Sequence, residues 1–274
     1  MLRPTFHRAG FIVGCLAATI LLNYGAHAGT VRVGGTGMGL AAMQAMGEDL
    51  TAAQPDIRVE VLPSLGTPGG LRALKEGAIH VAIIARRLTP EEKEQGFAEA
   101  GCALSALVFA SSLGAPPGIA TKDLARIYTE ARPTWPDGSP MKVILRSRAG
   151  SEVPYLAAAV PGLGPAFETA YKHPGTPVGA TDQENAELAQ KVAGSLAIIT
   201  LLQIRAEHLN LRPLSLDGVA PSAETIANKT YPLPLPVCIV LTNSPQPDAA
   251  RLAEHFKSPT GQALLRSFSA APLD

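Results

Sequence analysis

The residues best suited to chemistry in this chain stand in loops that lead into helices. Three such loops combine a hydroxyl with glycine: Thr36-Gly37-Met38, Ser64-Leu65-Gly66-Thr67 and Gly150-Ser151-Glu152. A helix start carries unpaired N–H groups and about half a positive charge, so it favours anions. Hydroxyls add donors, and glycine leaves the backbone bare for close approach. Arg146 and Arg148 precede the third loop, and Arg86-Arg87 follow the apolar run that ends at Ala85. Guanidinium forks match the geometry of a tetrahedral oxyanion. One loop by itself reads as an ordinary helix cap. A binding site requires all three to converge.

Other chemistries find little support. Gly35-x-Gly37-x-Gly39 is not a dinucleotide fingerprint, because its third glycine comes one position early. The acid expected about 20 residues on would be Asp56, which precedes the second strand instead of ending it. There is no G-x-x-x-x-G-K-[ST], H-E-x-x-H, C-x-x-C or G-x-S-x-G, and the six histidines are scattered. No nucleophile–base pair, metal site or cofactor is expected, and the chain is not read as an enzyme. Lys+Arg and Asp+Glu both number 23, so no basic field exists to recruit nucleic acid.

The N-terminus reads as a targeting segment. Arg3, His7 and Arg8 form a positive head, an apolar run reaches Leu22, and Ala26-His27-Ala28 is a small-x-small cleavage site. Residues 1–28 are therefore taken as a secretory signal peptide. The competing reading is a membrane anchor, but the run is shorter than the roughly 20 residues that span hydrocarbon. Ile12-Val13-Gly14-Cys15 also resembles a lipoprotein box, although most of the apolar run lies after Cys15. Removal of 1–28 takes away two arginines and no acid, leaving 21 bases against 23 acids. Two cysteines remain, Cys102 and Cys238. In an exported protein such a pair invites a disulfide, and two buried thiols are the alternative.

Periodicity supplies the elements that position the loops. A strand at Val31–Val33 runs into the first loop, and a helix follows with Leu40, Met43, Met46 and Leu50 along one side. Ile57–Leu62 alternates as a strand, 63–70 reads as a turn, and 71–76 as a helix stopped by Gly77. Further strands are expected at 80–85, 103–110, 141–145, 196–200 and 237–241. Helices are expected at 121–128, 155–160, 182–193 and within 248–268, with a turn at Trp135-Pro-Asp-Gly-Ser. Alternation of this kind argues for an α/β fold with parallel strands. With 46% hydrophobic and 17% charged residues, 274 residues suffice for one large domain or two small ones.

Several blocks resemble the phosphate-type periplasmic substrate-binding proteins of ABC transporters, the type II "Venus flytrap" fold. GGTGMG at 34–39 matches the family's opening strand, turn and helix, and SLGTPGGLRALKEG at 64–77 its GS-x-x-G turn and helix. IIARRL at 83–88 stands where the family has a strand ending in ASR or SD. LARIYTEARPTWPDG at 124–138 corresponds to its helix and tryptophan turn, and RSRAGSE at 146–152 to R-x-x-x-S-G-T. ENAELAQKVAGSLAIIT, LSLDGVAPSAETIANKTYPL and SPTGQ match three late blocks.

The resemblance implies two α/β lobes joined by a two-segment hinge, with a small oxyanion gripped between them. Lobe 1 would be 29–110 plus 232–274, and lobe 2 would be 111–231. Both cysteines would lie near the strands that reach the hinge. The ligand-binding set carried over is Thr36, Gly37, Met38, Ser64, Gly66, Thr67, Arg86, Arg146, Gly150 and Ser151. Phosphate is the expected ligand, a permease the expected partner, the periplasm the expected location, and a monomer the expected state. Two positions depart from the pattern. Ala85 replaces a serine, and Glu152 stands where the family has threonine. A carboxylate facing the cleft would repel a dianion by about 4 kcal/mol at ~4 Å and an effective dielectric near 20. These departures suit a second reading, a ligand-altered sensor or adaptor signalling to a membrane partner.

Overall fold

The computed structural model describes residues 29–273. The leader, its cleavage at Ala28 and the Cys15 box lie outside the described residues. Among those described, no helix is long and apolar enough to cross a membrane.

In chain order, β1 (Gly29–Gly35) passes through a short 3-10 turn (Gly37–Gly39) into α1 (Leu40–Ala53). The expected side of α1, Leu40, Met43, Met46 and Leu50, is its buried face. Next come β2 (Ile57–Val61), α2 (Gly66–Lys75), β3 (Val81–Ile84), α3 (Pro90–Glu94) and the fifteen-residue β4 (Phe97–Ser111). The chain continues through α4 (Thr121–Thr129), β5 (Lys142–Arg146), α5 (Glu152–Ala159), α6 (Leu163–Ala170), β6 (Val178–Gly179) and α7 (Asp182–Lys191). It then forms β7 (Ser195–Thr200), α8 (Leu201–Ala206), β8 (Arg212–Pro213), α9 (Ala223–Ala227) and β9 (Pro234–Thr242). The described chain ends with α10 (Pro247–Lys257), α11 (Pro259–Ser267) and β10 (Ala271–Leu273).

The strands run in the order β2-β1-β3-β9-β4-β7-β5-β6, with β8 and β10 also paired to β4. The expected parallel pairing holds only at the two ends of this path, in β2-β1-β3 and in β7-β5-β6. The middle is antiparallel: β9 pairs with β3 and β4, and β4 with β7. The sheet is therefore mixed. Helical crossovers return successive strands in one direction at each end, whereas β4 and β9 run past each other through the centre. Residues Phe97–Ala106 of β4 pair with β9, and Leu107–Ala110 pair with β7.

The hydrophobic clusters follow the same division. One, with Val33, Met46, Leu50, Ile57 and Phe256, packs α1, α10 and α11 on β1. A larger one, with Leu107, Phe109, Tyr128, Ile144, Phe167 and Ile198, surrounds β5 and β7. Strand β4 contributes Ala103 to the first, and Leu104 and Ala106–Ala110 to the second. The turn expected at 63–70 is shorter than its composition suggests. Helix α2 already starts at Gly66, because Pro68 falls in the first turn, where its missing N–H has no partner to lose. The tryptophan turn is anchored from inside: Trp135 is buried and its Nε1 donates to the Gly194 carbonyl at 3.2 Å.

Cys102 stands opposite Cys238 in the β4-β9 register, and the two sulfurs are bonded. The crosslink closes a loop of 136 residues. Its entropic effect on the unfolded chain has an upper limit of about 5 kcal/mol. Replacing both cysteines by serine is expected to lower the unfolding free energy by about 2–4 kcal/mol, measured by urea titration of the oxidised protein and the double variant. Equal midpoints would show that the bond contributes nothing to stability.

Candidate functional site

The first loop is fixed from two sides. Thr36 N–H donates to the Ile83 carbonyl at 2.9 Å, which holds it on β3. On the other side, Gln183 Nε2 donates to the Gly37 carbonyl at 3.0 Å, and Thr200 Oγ1 lies 3.5 Å from the Met38 carbonyl. The second loop is tied to the first by Leu65 N–H, which donates to the Gly35 carbonyl at 2.9 Å. Thr67 is buried, and its hydroxyl accepts from Ala85 N–H at 3.2 Å. Ser64 lines a groove of about 450 Å³ together with Leu40, Gln44, Thr181, Gln183 and Glu207.

The third loop leaves the end of β5 at Arg146. Ser147 N–H donates to the Gly179 carbonyl at 3.0 Å and Gly150 N–H to the Ser147 carbonyl at 2.9 Å, which turns the chain into α5. Ser151 is the N-cap residue of α5, and Glu152 is its first helical residue. Glu152 points inward. It is only 1% exposed, beside Arg146 at 5% and Asp182 at 4%.

These three side chains form one buried cluster. Arg146 Nε is paired with Glu152 Oε1. Its Nη1 donates to the Gly179 carbonyl at 3.2 Å, and its Nη2 to Asp182 Oδ1 at 2.8 Å. The other Asp182 oxygen, Oδ2, accepts from Thr36 Oγ1 at 3.2 Å. All three guanidinium nitrogens thus have acceptors from the chain itself. Tyr171 closes the far side by donating its hydroxyl to the Arg146 carbonyl.

The glycines show where the carboxylates sit. A Cβ on Gly37 would lie 2.8 Å from Asp182 Oδ2, and one on Gly150 would lie 2.9 Å from Glu152 Oε2. The bare face of Gly150 is therefore filled by Glu152, and that of Gly37 by Gln183 and Asp182 together. Glu152 Oε2 is buried without a hydrogen-bond partner. Burial pushes the Glu152 carboxyl above its ordinary value; Arg146 opposes that, and Asp182 reinforces it. Glu207 is pushed up as well, chiefly by burial, while hydrogen bonds from Gln183 and Gln203 pull the other way.

Of the ten residues expected to bind ligand, Thr36, Gly37, Arg146 and Gly150 border this cluster. Met38 meets Thr200 instead, and Ser151 precedes Glu152. Gly66 opens α2, and Thr67 is engaged with Ala85. Arg86 sits in a different network, with both Glu92 oxygens 2.7 Å from its Nη atoms at the start of α3. Arg148 lies over the Tyr171 ring, 3.9 Å from its centroid, and pairs with Glu168 at 2.9 Å. Glu99, Cys102 and Cys238 come within 4.8 Å of one another in the manner of metal ligands. Their donors are committed: the sulfurs to each other, and Glu99 to Arg87 and to Leu88 N–H.

Sequence reading missed Asp182 and Gln183. Thr181-Asp-Gln-Glu184 is a clear helix start, and Thr181 does accept from Glu184 N–H at 3.1 Å. Nothing in that local signal says that the start of α7 lies against a loop 146 positions earlier in the chain.

A family model for the PBP superfamily domain matches residues 24–260. No curated protein matches the chain in sequence. Solved structures do match in fold. A Clostridium perfringens protein, assigned as a phosphate ABC transporter substrate-binding protein and solved with phosphate, superposes with a TM-score of 0.74 at 17% identity, covering 89% of this chain and 100% of that one. An ABC-type phosphate transport receptor from Vibrio cholerae gives 0.59 at 16%, covering 88% and 99%. The periplasmic molybdate-binding protein of Azotobacter vinelandii gives 0.59 at 14%, covering 89% and 100%. At these identities the likeness is one of fold. With the family model spanning most of its length, the chain belongs to the PBP superfamily and has the type II solute-binding architecture of two α/β lobes.

Proposed function

We propose that this protein is a non-enzymatic, monomeric periplasmic receptor that captures phosphate or a related oxyanion between its lobes and presents it to an ABC permease. The lobes are 29–110 with 232–274, and 111–231. The Leu107 N–H bond to the Leu233 carbonyl, at 2.9 Å, supports two connecting segments that run side by side. The leader 1–28 accounts for export. The observation that carries the ligand class is Arg146: a buried guanidinium linked through Asp182 to Thr36 and through Glu152 to the Gly150-Ser151 loop. The Clostridium perfringens protein was solved with phosphate and the Azotobacter vinelandii protein binds molybdate, which fits this reading.

One observation favours the second reading, a sensor or adaptor of the same fold. Glu152 and Asp182 already neutralise Arg146. An oxyanion cannot simply join two ionised carboxylates. Each like-charge contact costs about 4 kcal/mol at ~4 Å, against roughly 1 kcal/mol for each neutral hydrogen bond gained. The ligand has to take the place of the acids. If it cannot, Arg146 stays paired with the two acids and the surface of the protein carries the signal.

Calorimetric titration with phosphate, sulfate, arsenate and phosphonates separates the two readings. Saturable phosphate binding is expected, weakened by about tenfold or more in Arg146→Ala. Unchanged affinity in that variant would remove the site from Arg146, and no binding of any oxyanion would favour the adaptor. The same variant also tests the cluster itself. With the guanidinium gone, two buried acids lose their partner, and an unfolding free energy lower by about 3–5 kcal/mol near neutral pH is expected. That loss should shrink on acidification, because protonated carboxyls no longer need the cation; a loss independent of pH would contradict it.

A further inference from the structure

We propose that Glu152 and Asp182 are the affinity-determining residues of this site, acting as a built-in competitor that an oxyanion must displace from Arg146, with at least one carboxyl taking up a proton as it does so. The inference rests on the oxyanion reading given above and adds what the ligand has to overcome.

The geometry supports it at each contact. The two acids hold Arg146 Nε and Nη2, the atoms a bidentate oxyanion would use. Asp182 also holds the Thr36 hydroxyl, Glu152 fills the bare face of Gly150, and Asp182 with Gln183 fills that of Gly37. Asp182 comes from α7 and Thr36 from the end of β1, so one side chain makes the cross-gap contacts that a ligand would make. Among the described residues, no second cation is in hydrogen-bond contact with these acids. Tyr171, beside Glu152, donates to the Arg146 carbonyl, and Arg148 above its ring pairs with Glu168. On the α8 side Asp182 faces Glu207, another acid, which is held by Gln183 and Gln203. Displaced acids therefore meet acids.

The direction of the pH effect follows from the charges. With Arg146 in place, Glu152 is pushed up by burial and held down by the guanidinium. An oxyanion on Arg146 removes that hold and adds a like charge, so the carboxyl rises further. The bound form then carries more protons than the free form, and affinity increases as pH falls through the interval between the two Glu152 positions.

The test is the affinity of the full chain, Glu152→Gln, Asp182→Asn and the double variant for inorganic phosphate and for sulfate, whose charge is constant across the range. Calorimetry from about pH 8 to about pH 5, in two buffers of different ionisation enthalpy, gives affinity and proton uptake together. Phosphate's own titration is subtracted. Each amide variant is expected to bind about tenfold or more tighter than wild type at the upper pH, one like charge having been removed. The wild type should gain up to about tenfold per pH unit for each proton taken up, and the double variant should show neither slope nor uptake. Binding by wild type with no proton uptake, or amide variants no tighter than wild type, would overturn the inference and leave the oxyanion function standing. Failure of every form to bind either anion at any pH would overturn both. The wild-type slope needs no variant, so a substitution that unfolds the protein does not rescue the idea.

Discussion

A guanidinium held away from water between two carboxylates is the constraint around which the rest of this structure is arranged. Burying an arginine costs several kcal/mol unless acceptors replace the water it loses. Arg146 finds three: Glu152, Asp182 and the Gly179 carbonyl. Each comes from a different element, so the pairing requires the end of β5, the start of α5, the end of β6 and the start of α7 to meet. Asp182 then passes the contact on to Thr36 at the end of β1. The arrangement is a chain of hydrogen bonds from Glu152 through Arg146 and Asp182 to Thr36. Such a network contributes less to net stability than its bonds suggest, because the charges were desolvated to make it. Its effect is on which surfaces meet.

The scaffold makes that meeting reproducible. Strand β4 runs unbroken through both large hydrophobic clusters, and the β9 segment passes back beside it. The Cys102–Cys238 bond locks these two strands in register. Parallel units at either end present their loops at strand termini, where helix starts point N–H groups outward. A solute-binding architecture needs such loops to face each other from two bodies that share few connections. The Arg146 cluster ties the end of β5 and the start of α7 to Thr36 after β1, and its guanidinium is already paired with two acids of the chain.

Much of the fold was legible because local periodicity fixes it. The buried side of α1, the all-apolar β3 and the positions of α4 and α7 follow from spacing, although Thr121 is the first residue of α4 and not its cap: the cap position is Ala120, which makes no side-chain bond. The short elements α3, α6, α8 and α9 were not foreseen; at five to eight residues they carry too little periodic signal to stand out. The expectation of parallel strands failed at β4 and β9 for a different reason. Alternation of strand and helix describes units at the ends of a sheet. It says nothing about two strands that cross between those ends.

The sequence by itself determined the loops, the glycines that leave them bare, the hydroxyls beside them and the arginine that closes β5, since these depend on residue type and near neighbours. It also showed Glu152 at a position where an acid is unexpected. Only the tertiary structure decided that Glu152 turns inward, that Asp182 crosses to Thr36, that Arg86 is spent on Glu92 and that the two cysteines meet. Those outcomes depend on how elements far apart in the chain pack against one another. The placement of a charge across a gap is set by that packing and leaves no periodic trace in the residues that carry it.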